Sequence, residues 1–170
     1  MFNHLLSLLI WLPIVGAVPV LLAGSARPML ARWLALLIAI ATFVISLWLL
    51  RYDPEGSVMQ LQETHVWIAT WGVHFTLAVD GISVALILMT TFVGILVIAG
   101  AWKVIQDRPH QYMACMLLLE GLLIGVFCAT DALVFYAFFE AVLIPMYILI
   151  GMWGGPRRVY ATLKLFIYTF

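Results

Sequence analysis

Three ionisable side chains lie inside runs of apolar residues, where a charge is expensive: Glu120, Glu140 and Lys164. Placing a charge at the centre of a bilayer costs roughly 2.5–3.5 kcal/mol on insertion scales, so each needs a partner or a task. A carboxylate shielded from water holds its proton firmly, and an approaching ammonium loosens it. A Glu–Lys pair in mid-membrane therefore takes up or releases a proton as the Lys comes and goes, which is the minimum equipment of a proton relay. Glu140 sits in Phe138-Phe139-Glu140-Ala141-Val142-Leu143-Ile144-Pro145. Pro145 has no N–H to give the carbonyl of Ala141, so the backbone is expected to open beside the acid and offer water a place to bind. Glu120 and Glu140 each stand nine residues from the connection at Ala129–Asp131, about 13 Å along a helix axis. They are thus at matched depth if their helices form a hairpin. The bland alternatives are that each Glu only bonds a neighbouring helix, and that Lys164, about 10 Å from the nearer face, snorkels to it. No nucleophile elbow, Walker loop or dinucleotide fingerprint is present, so hydrolysis and electron transfer are not indicated.

The elements that position these groups follow from composition. The chain has 170 residues, 66% of them apolar and 9% charged, against roughly 45–50% and 25% in ordinary globular proteins. A core this small cannot hide that excess, so the solvent is a bilayer. A hydrocarbon layer about 30 Å thick takes about twenty apolar residues, and five such stretches can be marked, at about 4–23, 30–50, 82–102, 112–129 and 132–153. A sixth starts near Val159. Its twelve residues cannot span, so residues 1–170 are expected to be the front part of a longer membrane domain. The first stretch lacks the basic lead of a signal peptide and reads as a retained span. The expected fold is therefore an all-α polytopic membrane protein.

Eight basic residues balance eight acidic ones, which leaves no field for nucleic acid. Cys115 and Cys128, thirteen residues apart in one apolar stretch, are about 20 Å apart if helical and cannot pair. His4, His65, His74 and His110 are scattered; they have no metal-ligand spacing, and no metal, haem or iron–sulfur site is expected.

Loop charges set the orientation. Arg27 and Arg32 flank the first connection, Lys103 and Arg108 the third, and Arg157 and Arg158 the fifth. The second carries Asp53, Glu55, Glu63 and Asp80 against Arg51, and the fourth Asp131 alone. Under the positive-inside rule the odd loops are cytoplasmic and the amino terminus is outside. The long outer connection, 52–80, shows a period of two over Val73–Val79. With a strand at Val66–Thr70 and a turn at Trp71-Gly72 it would form a β-hairpin against the outer helix ends, Trp67 and Trp71 lying at headgroup level; an irregular interfacial loop is the alternative.

The run Phe138-Phe139-Glu140-Ala141-Val142-Leu143-Ile144-Pro145-Met146-Tyr147, with Gly151-Met152-Trp153-Gly154-Gly155, Arg157-Arg158-Val159-Tyr160-Ala161 and Lys164-Leu165-Phe166-Ile167-Tyr168-Thr169, resembles the subunit M family of bacterial NADH-quinone oxidoreductase, respiratory complex I, whose mitochondrial counterpart is subunit 4. Leu77-Ala78-Val79-Asp80-Gly81-Ile82-Ser83 is similar to it too. The resemblance extends over the whole chain but over only about the first third of a family member, which typically has fourteen spans. It implies a proton-translocating, antiporter-like subunit of the bacterial inner membrane with no redox centre or cofactor on this chain. NAD, FMN, iron–sulfur clusters and quinone are expected on other subunits, and the sister antiporter-like subunits and the lipid bilayer are the expected partners. It also implies that Glu140 is the key carboxylate, coupled to a lysine on a seventh span outside these residues. Lys164 matches a lysine of the sixth-span motif, and Glu120 stands where some members carry an apolar residue. The competing readings are a subunit of a multisubunit cation/proton antiporter or membrane-bound hydrogenase, and a purely structural membrane anchor.

Overall fold

The computed structural model describes residues 4–24, 27–51, 53, 59–68 and 73–169. Six α-helices run in chain order: α1 (Leu5–Leu22), α2 (Pro28–Ser46), α3 (Gly81–Val104), α4 (Pro109–Cys128), α5 (Ala132–Trp153) and α6 (Arg158–Thr169). A 3-10 turn, Leu47–Arg51, extends α2. Five of the described helices, α2 counted with its extension, are long and apolar enough to cross a membrane, and α6 has twelve residues. Several starts are written in the sequence. Pro28 and Pro109 open α2 and α4, where a missing N–H costs nothing. Asp80 and Asp131 cap α3 and α5 by accepting backbone N–H bonds from Ser83 (2.7 Å) and Leu133 (2.8 Å). The bond from the Ser83 amide holds the Asp80 carboxyl below its ordinary range.

Helix α4 is the hub. Gly121 lets α1 approach so closely that an added Cβ would lie 2.7 Å from the Ile10 carbonyl, and Gly125 takes the Phe138 ring of α5, which would stand 2.5 Å from such a Cβ. Ala31, Ala35 and Ala39 make a fully buried ladder on α2, clustered with Met113, Ala114 and Leu117 of α4. Small residues at this spacing are how helices pack where lipid removes the hydrophobic drive. Farther along α2, Ser46 and Thr91 of α3 share a buried hydroxyl–hydroxyl bond of 3.0 Å. At the opposite end Arg32 donates to the Ile105 carbonyl (3.0 Å) and the Gln106 side chain (3.2 Å), tying α2 to the α3–α4 connection.

The connection between α2 and α3 is an antiparallel hairpin of β1 (Gln60–Ile68) and β2 (Val73–Val79). The expected second strand is present, but the first begins six residues earlier than Val66. Apart from the exposed Leu61, Gln60–Thr64 is polar and shows no apolar alternation, because its inward position opposite the buried Leu77 is taken by Glu63, not by an aliphatic residue. The expected turn at Trp71-Gly72 and strand end at Thr70 lie outside the described residues.

Two sets of bonds hold the hairpin to the helix ends. Thr130, between α4 and α5, donates from its amide (3.2 Å) and hydroxyl (3.1 Å) to the Thr76 carbonyl. Glu63, 5% exposed, accepts from the Leu6 amide (2.7 Å), the Ser7 amide and the Ser7 hydroxyl. It thus caps α1 from 57 residues away, where His4 offers no side-chain cap. Orphaned buried N–H groups cost about 1–3 kcal/mol. Glu63→Ala should therefore lower the stability of the membrane domain by about that much, and Glu63→Gln, which keeps one acceptor, by less. Thermal unfolding of the purified protein in nanodiscs measures both, and unchanged midpoints would remove Glu63 as an anchor.

Candidate functional site

Glu120 is the more deeply buried of the two intramembrane acids, 4% exposed on α4. It points at α3, where Gly94 makes its room: a Cβ on Gly94 would come within 2.9 Å of Glu120 Oε2. Neither carboxylate oxygen has a hydrogen-bond partner among the described residues. Both helices line a cavity of about 340 Å³, walled by Leu86, Met89, Val93, Leu123 and Phe127 around the acid. The site is apolar except for the carboxyl and the Thr90 hydroxyl, and that hydroxyl is donated to the Leu86 carbonyl (2.8 Å).

Glu140 is half-buried on α5, with Oε2 enclosed and without a hydrogen-bond partner among the described residues. Tyr136, one turn earlier, brings its hydroxyl to the same carboxylate. One buried face of α5 carries Val134, Phe138, Val142 and Pro145; Glu140 lies roughly opposite it at 100° per residue, about 60° from Leu143, which is also buried. The residues on its own stripe are Tyr147 and Gly151, seven and eleven positions on. Both meet α6: the Tyr147 and Phe166 rings are 5.9 Å apart, and Thr162 lies 3.8 Å from where a Gly151 Cβ would be. Glu140 therefore continues the face of α5 on which α6 packs, and lies about 10 Å beyond the Tyr147–Phe166 contact.

Lys164 is on the other side of α6. It is exposed, between the rings of Tyr160 (5.9 Å) and Tyr168 (5.7 Å), while Thr162 and Phe166 face α5. Level with about residue 149, it is roughly 13 Å from Glu140 along the axis and turned away from it. Pro145 is in an unbroken α5, about 140° around the helix from Glu140, so the carbonyl it frees does not share the acid's face. The four groups singled out in the sequence are thus not gathered in one pocket. Glu120 looks to α3, Glu140 to the α6 side, and Lys164 outward.

Two of the histidines scattered in the sequence come together in the structure. His4, at the start of α1, and His65, on β1, stack with ring centroids 5.7 Å apart, and Glu63 lies between their elements. Residues 61 positions apart carry no spacing signal, so only the hairpin register brings them together.

Three comparisons place this geometry among known proteins. The family described as NADH:quinone oxidoreductase/Mrp antiporter, transmembrane, matches residues 129–170, the stretch holding Glu140 and Lys164. NADH-quinone oxidoreductase subunit M of Rhodobacter capsulatus is 45% identical over 99% of this chain and 33% of its own length. NADH-ubiquinone oxidoreductase chain 4 of Chondrus crispus is 40% identical over 92% of this chain and 32% of its own. The resemblance to subunit M is therefore borne out, and the chain spans about a third of the length of the curated relatives it matches. A chain in the structure of respiratory complex I from Thermus thermophilus with bound NADH superposes with a TM-score of 0.80 at 29% identity, covering 99% of this chain and 32% of that one. An archaeal membrane-bound sulfane sulfur reductase shares the fold, with a TM-score of 0.70 at 19% identity.

The unpartnered state of Glu120 yields a prediction. A buried acid without partners adds no cohesion, and an apolar side chain of similar size in its place is neutral or stabilising. Glu120→Leu should keep the unfolding midpoint of the membrane domain or raise it. A loss above about 2 kcal/mol would mean that the carboxyl is held by bonds that knit the helices.

Proposed function

We propose that this chain is the amino-terminal third of a proton-translocating, antiporter-like membrane subunit of an NADH:quinone oxidoreductase, and that Glu140 is the group through which it passes protons. The observation that carries this reading is the placement of Glu140: mid-helix in a membrane span, one oxygen enclosed and unpartnered, on the face where the next span packs. A carboxylate so placed exchanges a proton with water that reaches it, and its affinity follows the distance of a cation. Lys164 does not supply that cation from its place between two tyrosine rings; its exposure supports the snorkelling role. The cation is the lysine expected on a later span.

Glu120 has a secondary part. It opens to the α3–α4 cavity and not to the α5–α6 face. No redox step is assigned to this chain; NAD, FMN, iron–sulfur clusters and quinone belong to other subunits, and the sister antiporter-like subunits are its neighbours in the membrane. The loop charges support an amino terminus and hairpin on the outer side of a bacterial inner membrane. The matched family's description also names the Mrp antiporter, which keeps a subunit of a cation/proton antiporter or membrane-bound hydrogenase as the second reading, but the identity to subunit M and chain 4 relatives favours the first.

Two measurements test this. In the assembled enzyme, Glu140→Gln should preserve assembly on native gels and cut NADH-to-quinone turnover and vesicle acidification about a hundredfold or more, the scale of losing a positioned proton-transfer group. Glu140→Asp should keep a reduced share, and Glu120→Gln should lose less than Glu140→Gln. Near-native rates for Glu140→Gln in assembled enzyme would make the acid structural. For orientation, a cysteine at the exposed Gln62 of β1 should react with an impermeant maleimide in intact cells; reaction only after the membrane is opened would reverse the topology.

A further inference from the structure

The geometry points to a binding site for a borderline divalent cation such as Zn²⁺ formed by His4, Glu63 and His65, where the start of α1 meets the hairpin. One ligand atom from each of the three residues lies within 4.8 Å of the others. Glu63 and His65 are two apart on β1 and so project from the same face of the strand, and the register sets them opposite Leu77 and Phe75. His4 comes up from the first residue before α1, its ring parallel to that of His65 within 17°. Two imidazoles and a carboxylate are a set that zinc takes with a water in the fourth position.

The three residues differ in freedom, and that suits a site that closes on a metal. Glu63 is buried and oriented by the Leu6 and Ser7 amides, the kind of outer-shell support that fixes a ligating carboxylate. Both histidines are exposed, so their rings are free to turn. Tetrahedral ligands at zinc bond lengths of about 2.0–2.1 Å are roughly 3.3 Å apart, so the atoms need to close by about 1.5 Å, within reach of a rotation about the histidine side-chain bonds. The α1 dipole opposes a cation at this end, and the Glu63 charge offsets it. A bound ion would clip β1 to α1 beside the Glu63 cap. The site stands on these residues whether or not Glu140 carries protons.

The test uses the assembled enzyme with its full-length subunit, equilibrated with micromolar free Zn²⁺, freed of loose metal by gel filtration and assayed for zinc by mass spectrometry. Wild type should hold one zinc more per complex than His4→Ala or His65→Phe, the latter keeping a stacked ring while removing the ligand. Zn²⁺ should also raise the unfolding midpoint of wild type and leave both variants unmoved, while turnover without zinc stays at the wild-type level in all three. Equal zinc content in the three proteins, or a loss in only one of the two variants, would overturn the site. A fall in activity for Glu140→Gln, or its absence, leaves this result untouched, so the two readings fail separately.

Discussion

Hydrocarbon offers no partner to a polar group, and almost every feature of this chain follows from that single constraint. Each span must satisfy its own backbone, which is why the described spans are helices. Their orphaned ends are closed by groups outside the hydrocarbon: Asp80 and Asp131 at α3 and α5, and Glu63 reaching from the hairpin to α1. The hairpin is thus more than a loop. Its two strands would be marginal alone; bonded to the α1 start and to Thr130 between α4 and α5, they become a lid that joins three helix ends on one face.

The same constraint dictates how the helices meet. With lipid as apolar as leucine, close approach has to come from small side chains, and glycine and alanine mark the contacts: Ala31, Ala35 and Ala39 of α2, and Gly121 and Gly125 of α4. Many larger side chains fill the core, among them Leu6, Ile10, Ile87 and Leu117, and others face outward. Leu8, Trp11, Val15 and Leu22 of α1 and Met89, Phe92 and Leu96 of α3 are all substantially exposed, a surface for lipid tails or for neighbouring subunits. Gly94 belongs to the same class of small residue, yet it opens space for a carboxyl and not for a backbone.

What the sequence made legible was whatever depends on one dimension. Span lengths, capping aspartates, prolines at helix starts and the charge bias of the loops are local, and the described helices lie where they put them. Azimuth is not local. Glu120 and Glu140 are indeed close to level, since Gly125 meets Phe138 across the hairpin of α4 and α5, but the side each faces depends on which helix packs where. Glu63 was readable only as a loop charge, because its role as a cap is set by a register with two irregularities, between Gln60 and Glu63 and between Val66 and Ile68. The pairing of His4 with His65 was hidden for the same reason.

The separation of the charges bears on any route for protons. Between Glu120 and Glu140 stands the α4–α5 interface, where the Phe138 ring sits on Gly125. At that contact the packing leaves no room for water, although α4 and α5 also border a second cavity, lined by Leu122, Ala137 and Ala141. Each acid opens on its own side: Glu120 to the cavity it shares with α3, Glu140 to the face beside α6. Under the proposed function, the route at Glu140 runs along the face of α5 that carries Tyr147 and Gly151 and meets α6. The two acids thus face different helices, Glu120 toward α3 and Glu140 toward the α6 side of α5, and under the proposed function a cation that tunes Glu140 approaches from that side.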